Sequence, residues 1–150
     1  MNEEVKNGRY ENVDSVKWYK DGLLHREDGP AVEGCDGSRS WYLNGRPHRE
    51  NGPAYEGSSG EKKWYLNGVL HREDGPAVIR ANGVVCWYLN GKEHREDGPA
   101  VERPDGHKEW YLDGIELSKE EFNQWLMKKN LNEKLKANLK PKPAQKRTKI

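Results

Sequence analysis

At 150 residues, with 33% hydrophobic and 34% charged side chains, the chain is thin in apolar material for a closed globular core. It holds no run of 18 apolar residues, which excludes a membrane-spanning helix, and the polar start Met1-Asn-Glu-Glu4 does not read as a signal peptide, so a cytoplasmic location is expected. The formal net charge of +1 conceals an asymmetry: residues 1–133 carry 19 basic and 25 acidic side chains, net −6, whereas residues 134–150 carry seven basic and no acidic ones.

Residues 1–17 hold no complete repeat unit and are expected to form an N-terminal cap. From Trp18 onward the chain repeats itself. Trp18, Trp41, Trp64, Trp87 and Trp110 stand at 23-residue intervals, each followed by Tyr. Strings of the type His-Arg-Glu-Asp-Gly-Pro-Ala begin in the same register at His25, His48, His71 and His94, with Asn51 replacing Asp once. Self-similarity at this period predicts an array of small units, each stacked on its neighbours.

Three turn signals recur within each unit. Asn44-Gly45, Asn67-Gly68 and Asn90-Gly91, with Asp21-Gly22 and Asp113-Gly114, are two-residue hairpin turns, because both central positions of a type I′ turn need positive φ. The second signal is the residue pair Gly-Pro in the His-Arg-Glu-Asp string, and the third is Asp36-Gly37, Gly60, Asn82-Gly83 and Asp105-Gly106. The intervening stretches are too short for helices and suit strands. The expected fold is an all-β repeat over residues 18–117, an antiparallel hairpin array or open solenoid of about five 23-residue units, capped by a C-terminal helix. Alternation places Trp64 and Leu66 on one face and Tyr65 on the other, so the Trp and Leu ladders are expected to form the shared core. Ala31, Ala54, Ala77 and Ala100 are expected where strands approach too closely for a larger side chain.

The repeat ends where Leu117 replaces His. Ser118-Lys-Glu-Glu121 is a capping box opening a helical segment over 118–139. Phe122, Trp125 and Leu126 form one apolar stripe, expected against the last hairpin. Met127, Leu131, Leu135 and Leu139 form a second, nearly opposite one, which implies either two contacts or a break near Asn130-Leu-Asn132. Residues 140–150, with Pro141 and Pro143, read as a basic extended tail.

The His-Arg-Glu-Asp column holds a base, a cation and two carboxylates, yet no metal or catalytic site is expected from it. Units that each add two strands about 4.8 Å apart separate equivalent His residues by about 10 Å, whereas zinc needs ligands at about 2 Å. A catalytic constellation is single and asymmetric; this one recurs like a fastener. Its residues are expected to act as structural staples, with the Asp bonded to its own turn, the Arg paired with carboxylates and the His donating to a carbonyl. No cofactor motif appears, and Cys35 and Cys86 occupy different places in their units, so they are not a built-in pair and fit a reduced compartment.

What remains is recognition. The expected protein-binding residues are Tyr42, Tyr65 and Tyr88, Arg49, Arg72 and Arg95, and Met127, Leu131 and Leu135, the last three for a partner or for self-association. The alternative is nucleic acid or another anionic surface bound through Lys140, Lys142, Lys146, Arg147 and Lys149.

With Trp-Tyr-Leu-Asn-Gly and His-Arg-Glu-Asp-Gly-Pro-Ala-Val in view, residues 18–117 resemble the MORN-repeat-like proteins, in the 23-residue variant of bacterial and phage proteins. Tyr65-Leu66-Asn67-Gly68 stands at that family's tyrosine-then-glycine position, while the His-Arg-Glu-Asp string departs from its pattern. The resemblance implies a hairpin per repeat and a scaffold, protein-binding or lipid-headgroup-binding role; for a small phage or bacterial protein it implies an inhibitor of a host protein.

Overall fold

A computed structural model describes residues 3–139, Pro141 and Pro143. The chain forms two compact units divided between Leu117 and Ser118.

The first unit is an open antiparallel hairpin array. Among the described residues its main sheet has 12 strands, and along its path nearly every strand pairs with the next in chain order. Gly8–Glu11 pairs with Ser15–Lys20, which also pairs with Leu23–Leu24 and with Val32–Gly34. The sheet then continues through Arg39–Ser40, Tyr55–Glu56, Lys62–Lys63, Val78–Ile79, Val85–Cys86, Val101–Glu102, Lys108–Leu112 and Ile115–Leu117. Three short hairpins stand outside it: Tyr42–Leu43 with Arg46–Pro47, Tyr65–Leu66 with Val69–Leu70, and Tyr88–Leu89 with Lys92–Glu93. Their turns are type I′ in geometry, as at Asn67 (φ 49°) and Gly68 (φ 84°), the backbone twist that lets a two-residue loop join antiparallel strands.

Trp41, Trp64 and Trp87 each mark the place where the chain leaves the main sheet for a short hairpin, whereas Trp18 and Trp110 lie within strands of that sheet. Trp64 N–H donates to Ala77 O (2.8 Å) and Trp64 O accepts from His71 N–H (3.0 Å); Trp18, Trp41 and Trp87 make the same two bonds. This junction changes the expected core. The deepest burial belongs to Ala31, Ala54, Ala77 and Ala100, at 0–1% exposure, and to Val78, Val84, Cys86 and Val101. Leu70, Tyr88 and Tyr111 pack against that Val-Cys cluster. The Trp rings are only half-buried. One regular strand through Trp-Tyr-Leu would place Trp in the interior, but at these junctions the ring is covered by the Arg of its own unit's loop instead of by a facing strand.

The N-terminal segment contributes a strand that the sequence pattern did not reveal. Its turn is closed by Asn12, whose Oδ1 accepts from Asp14 and Ser15 N–H, both at 2.9 Å. Lys6 and Asn7 then take the places that Leu24 and His25 hold one unit later. Gly22 N–H donates to Lys6 O (2.9 Å) as Gly45 N–H donates to Leu24 O (2.8 Å), and Asp21 N–H donates to Asn7 Oδ1 as Asn44 N–H donates to His25 Nδ1.

The second unit contains one helix, Lys119–Leu139, continuous through Asn130 and Asn132. Its start is the capping box read from the sequence: Glu121 N–H donates to Ser118 Oγ (3.1 Å) and Ser118 N–H to Glu121 Oε2 (2.8 Å). Phe122 is buried, its ring 5.8 Å from that of Trp125.

Candidate interaction surfaces

The His-Arg-Glu-Asp strings are loops that fasten one unit to the next. His71 Nδ1 accepts from the backbone N–H of Asn90 in the following turn (3.0 Å), and His25, His48 and His94 do the same for Asn44, Asn67 and Asp113. The direction is opposite to the expected donation to a carbonyl. Accepting at Nδ1 leaves the ring proton on Nε2, which lies 3.6 Å from Glu73 Oε1. His71→Ala should therefore cost about 1 kcal/mol of stability, while His71→Asn, whose Oδ1 falls where Nδ1 was, should recover most of it in urea unfolding. If Ala and Asn prove equal, the bond contributes nothing.

The Arg of each loop is a clamp on its own unit. The Arg72 guanidinium lies 3.9 Å from the Trp64 ring centre, its Nε donates to Asp74 Oδ1 (3.0 Å) and its Nη1 to Pro76 O (3.0 Å). Arg26 and Arg95 repeat all three contacts on Trp18 and Trp87. Arg49 stacks on Trp41 at 3.8 Å and donates through Nη1 to Pro53 O and Glu56 Oε1, as Arg95 does to Pro99 O and Glu102 Oε1, while Asn51 stands where the other loops have the Asp. The loop glycine allows this: a Cβ on Gly75 would sit 2.8 Å from Arg72 Cζ.

The structure separates the Arg and Tyr ladders that the sequence reading combined. Arg49 and Arg72 border grooves floored by Trp and Leu. One groove of 680 Å³ runs between the loops at Arg26–Pro30 and His48–Asn51, over Trp41 and Leu43. The next, of 710 Å³, runs between Arg49–Gly52 and His71–Asp74, over Trp64 and Leu66. Tyr42 and Tyr65 line a different recess of 150 Å³ with Tyr55 and Pro47. Tyr65 and Tyr88 line another, of 340 Å³, beside Leu70 and Val78. The sequence alone did not show the Trp-floored grooves; the signal was the constant eight-residue offset from Trp to Arg.

Burial raises the pKa of the Tyr65 phenol and the Cys86 thiol. The Tyr88 phenol is pushed up to about 12, first by burial and then by the Glu93 carboxylate, whose Oε1 accepts its hydroxyl at 3.1 Å. A phenol that holds its proton more tightly when folded stabilises the fold fully below pH 10, and that contribution is lost as pH rises toward 12. Alkaline difference absorbance should show a late-titrating tyrosine that Tyr88→Phe removes; if that substitution leaves the late phase in place, the assignment is wrong.

On the helix, Met127, Leu131, Leu135 and Leu139 are 72%, 58%, 52% and 82% exposed. The tail cations Lys140, Lys142, Lys146, Arg147 and Lys149 lie outside the described residues. Cys35 and Cys86 are both free thiols, Cys35 exposed and Cys86 buried. Among the described residues no group of three or more His, Cys, Asp or Glu could hold a metal ion, and no helix is long and apolar enough to cross a membrane. No family model, curated protein or solved structure matches the chain.

Proposed function

We propose that this protein is a non-catalytic interaction module. The observation that carries the reading is the apolar stripe Met127, Leu131 and Leu135, which is more than half exposed along two turns of helix. Its hairpin array is a regular scaffold whose chemistry-bearing side chains are occupied in fastening: His on turn amides, Arg on Trp and proline carbonyls. Residues 18–117 are taken as five 23-residue units of a MORN-like kind, supported by the recurrence of these contacts at that interval. The setting is a reducing cytoplasm, which suits two free cysteines. An inhibitor that covers a partner's surface is one form such a module takes.

The test compares the full chain with a Leu131→Asp/Leu135→Asp variant of equal helicity, in quantitative capture of partner protein and in solution mass. The substitutions should abolish capture or self-association. A full chain that stays monomeric and retains no protein under native conditions would remove the reading.

A second reading rests on the seven basic residues without an acidic one in 134–150. It predicts binding to nucleic acid that weakens steeply between about 50 and 200 mM salt and disappears when the five tail cations from Lys140 to Lys149 become Gln. Salt-independent binding would count against it.

A further inference from the structure

Each His-Arg-Glu-Asp loop sorts its charges by depth. The Arg side chains are 22–31% exposed, turned in over Trp, while Glu27, Asp28, Glu50, Glu73 and Asp74 are 77–87% exposed, turned out. The cation is spent on holding the loop, so what each loop presents to solvent is negative. These carboxylates stand on the rims of the two grooves, above floors of Trp41 with Leu43 and Trp64 with Leu66.

The rims have a fixed spacing. Each unit contributes two strands to the main sheet, which sets successive loops about 10 Å apart. A polyproline II chain rises about 3.1 Å per residue with three residues per turn, so it returns to the same face every 9 to 10 Å or so. Aromatic-floored grooves accept proline rings, because such a chain loses little entropy on binding. Carboxylate rims in step with that turn suit a cation at every third position.

We propose that this face of the array docks an extended, proline-containing basic peptide with Lys or Arg at every third residue. The prolines lie over Leu43 and Leu66 and the part of each Trp that its Arg leaves uncovered, and each cation reaches one rim. The chain's own Lys140-Pro141-Lys142-Pro143 has the right composition, but its lysines are two apart and fall out of step with the loops. The proposal gives the interaction-module reading a second surface and a partner chemistry, and it rests on that reading only in asking no reaction of the loops.

The test uses the full chain, with tryptophan emission and calorimetry as readouts. The probes are synthetic Pro-Pro-Lys repeated four times, its Pro-Pro-Glu counterpart, and a peptide of the first composition with its lysines in one block. The first should bind about tenfold more tightly than the other two and lose affinity as salt rises from about 50 to 200 mM. Glu27→Gln/Glu50→Gln/Glu73→Gln should weaken it about tenfold while leaving the Arg–Trp stacks in place. The proposal is overturned if the in-step peptide does not bind, or if the glutamate counterpart, the blocked peptide or the triple variant binds equally well. Failure here with capture through Leu131 and Leu135 intact removes this inference and leaves the broader reading standing.

Discussion

Arg72→Lys should destabilise the protein nearly as much as Arg72→Ala, by about 2 kcal/mol. Lysine keeps the charge but not the plane. The guanidinium stacks flat on Trp64 while sending Nε to Asp74 and Nη1 to the Pro76 carbonyl, and one ammonium cannot serve both directions from above a ring. Alanine removes the stack and strips Pro76 O of its donor. Gly75→Ala should act in the same direction from below, since its methyl would press on Arg72 Cζ. Urea unfolding followed by Trp emission measures all three. A lysine variant within about 0.5 kcal/mol of the parent would show that charge alone holds the loop.

Ala77→Leu should cost about 1–3 kcal/mol through overpacking. Ala77 has no exposed surface, and its backbone is committed on both sides: its N–H donates to Cys86 O (2.9 Å) and its carbonyl accepts from Trp64 N–H (2.8 Å). Relief would have to come from moving one of those strands, which would disturb the junction where the short hairpin leaves the sheet. Ala77→Gly adds no bulk and should cost less, mainly through backbone entropy. Thermal and urea denaturation distinguish the two; equal losses would mean that crowding is not the reason for alanine.

Much of this architecture is legible from turn chemistry. The five hairpin pairs from Asp21-Gly22 to Asp113-Gly114 fall at positive φ as read, the four alanines are fully buried, and Ser118 to Glu121 forms the box its spacing announces. What escaped the sequence is where backbone groups go. Alternation assigns faces within a strand, and Tyr65 and Leu66 do face apart, but it cannot show that Trp64 sits between two strands. Composition likewise shows a His in every loop without showing which ring atom meets which amide. Lys6 and Asn7 carry no repeat signature at all; they substitute for Leu24 and His25 through one carbonyl and one side-chain oxygen, an equivalence of hydrogen bonds and not of residue type.

The fastening between units runs one way. The imidazoles of His25, His48, His71 and His94, and Asn7 before them, each serve the turn that comes later in the chain, and the series closes where Leu117 offers no acceptor. Interior segments are therefore interchangeable. Excising residues 49–71 would rejoin His48 to Arg72 and hand the Asn90 amide to His48, with the start and the finish of the array untouched. A gene built this way can gain or lose rungs by recombination between its own copies, so the length of the array can change in whole steps without a new fold.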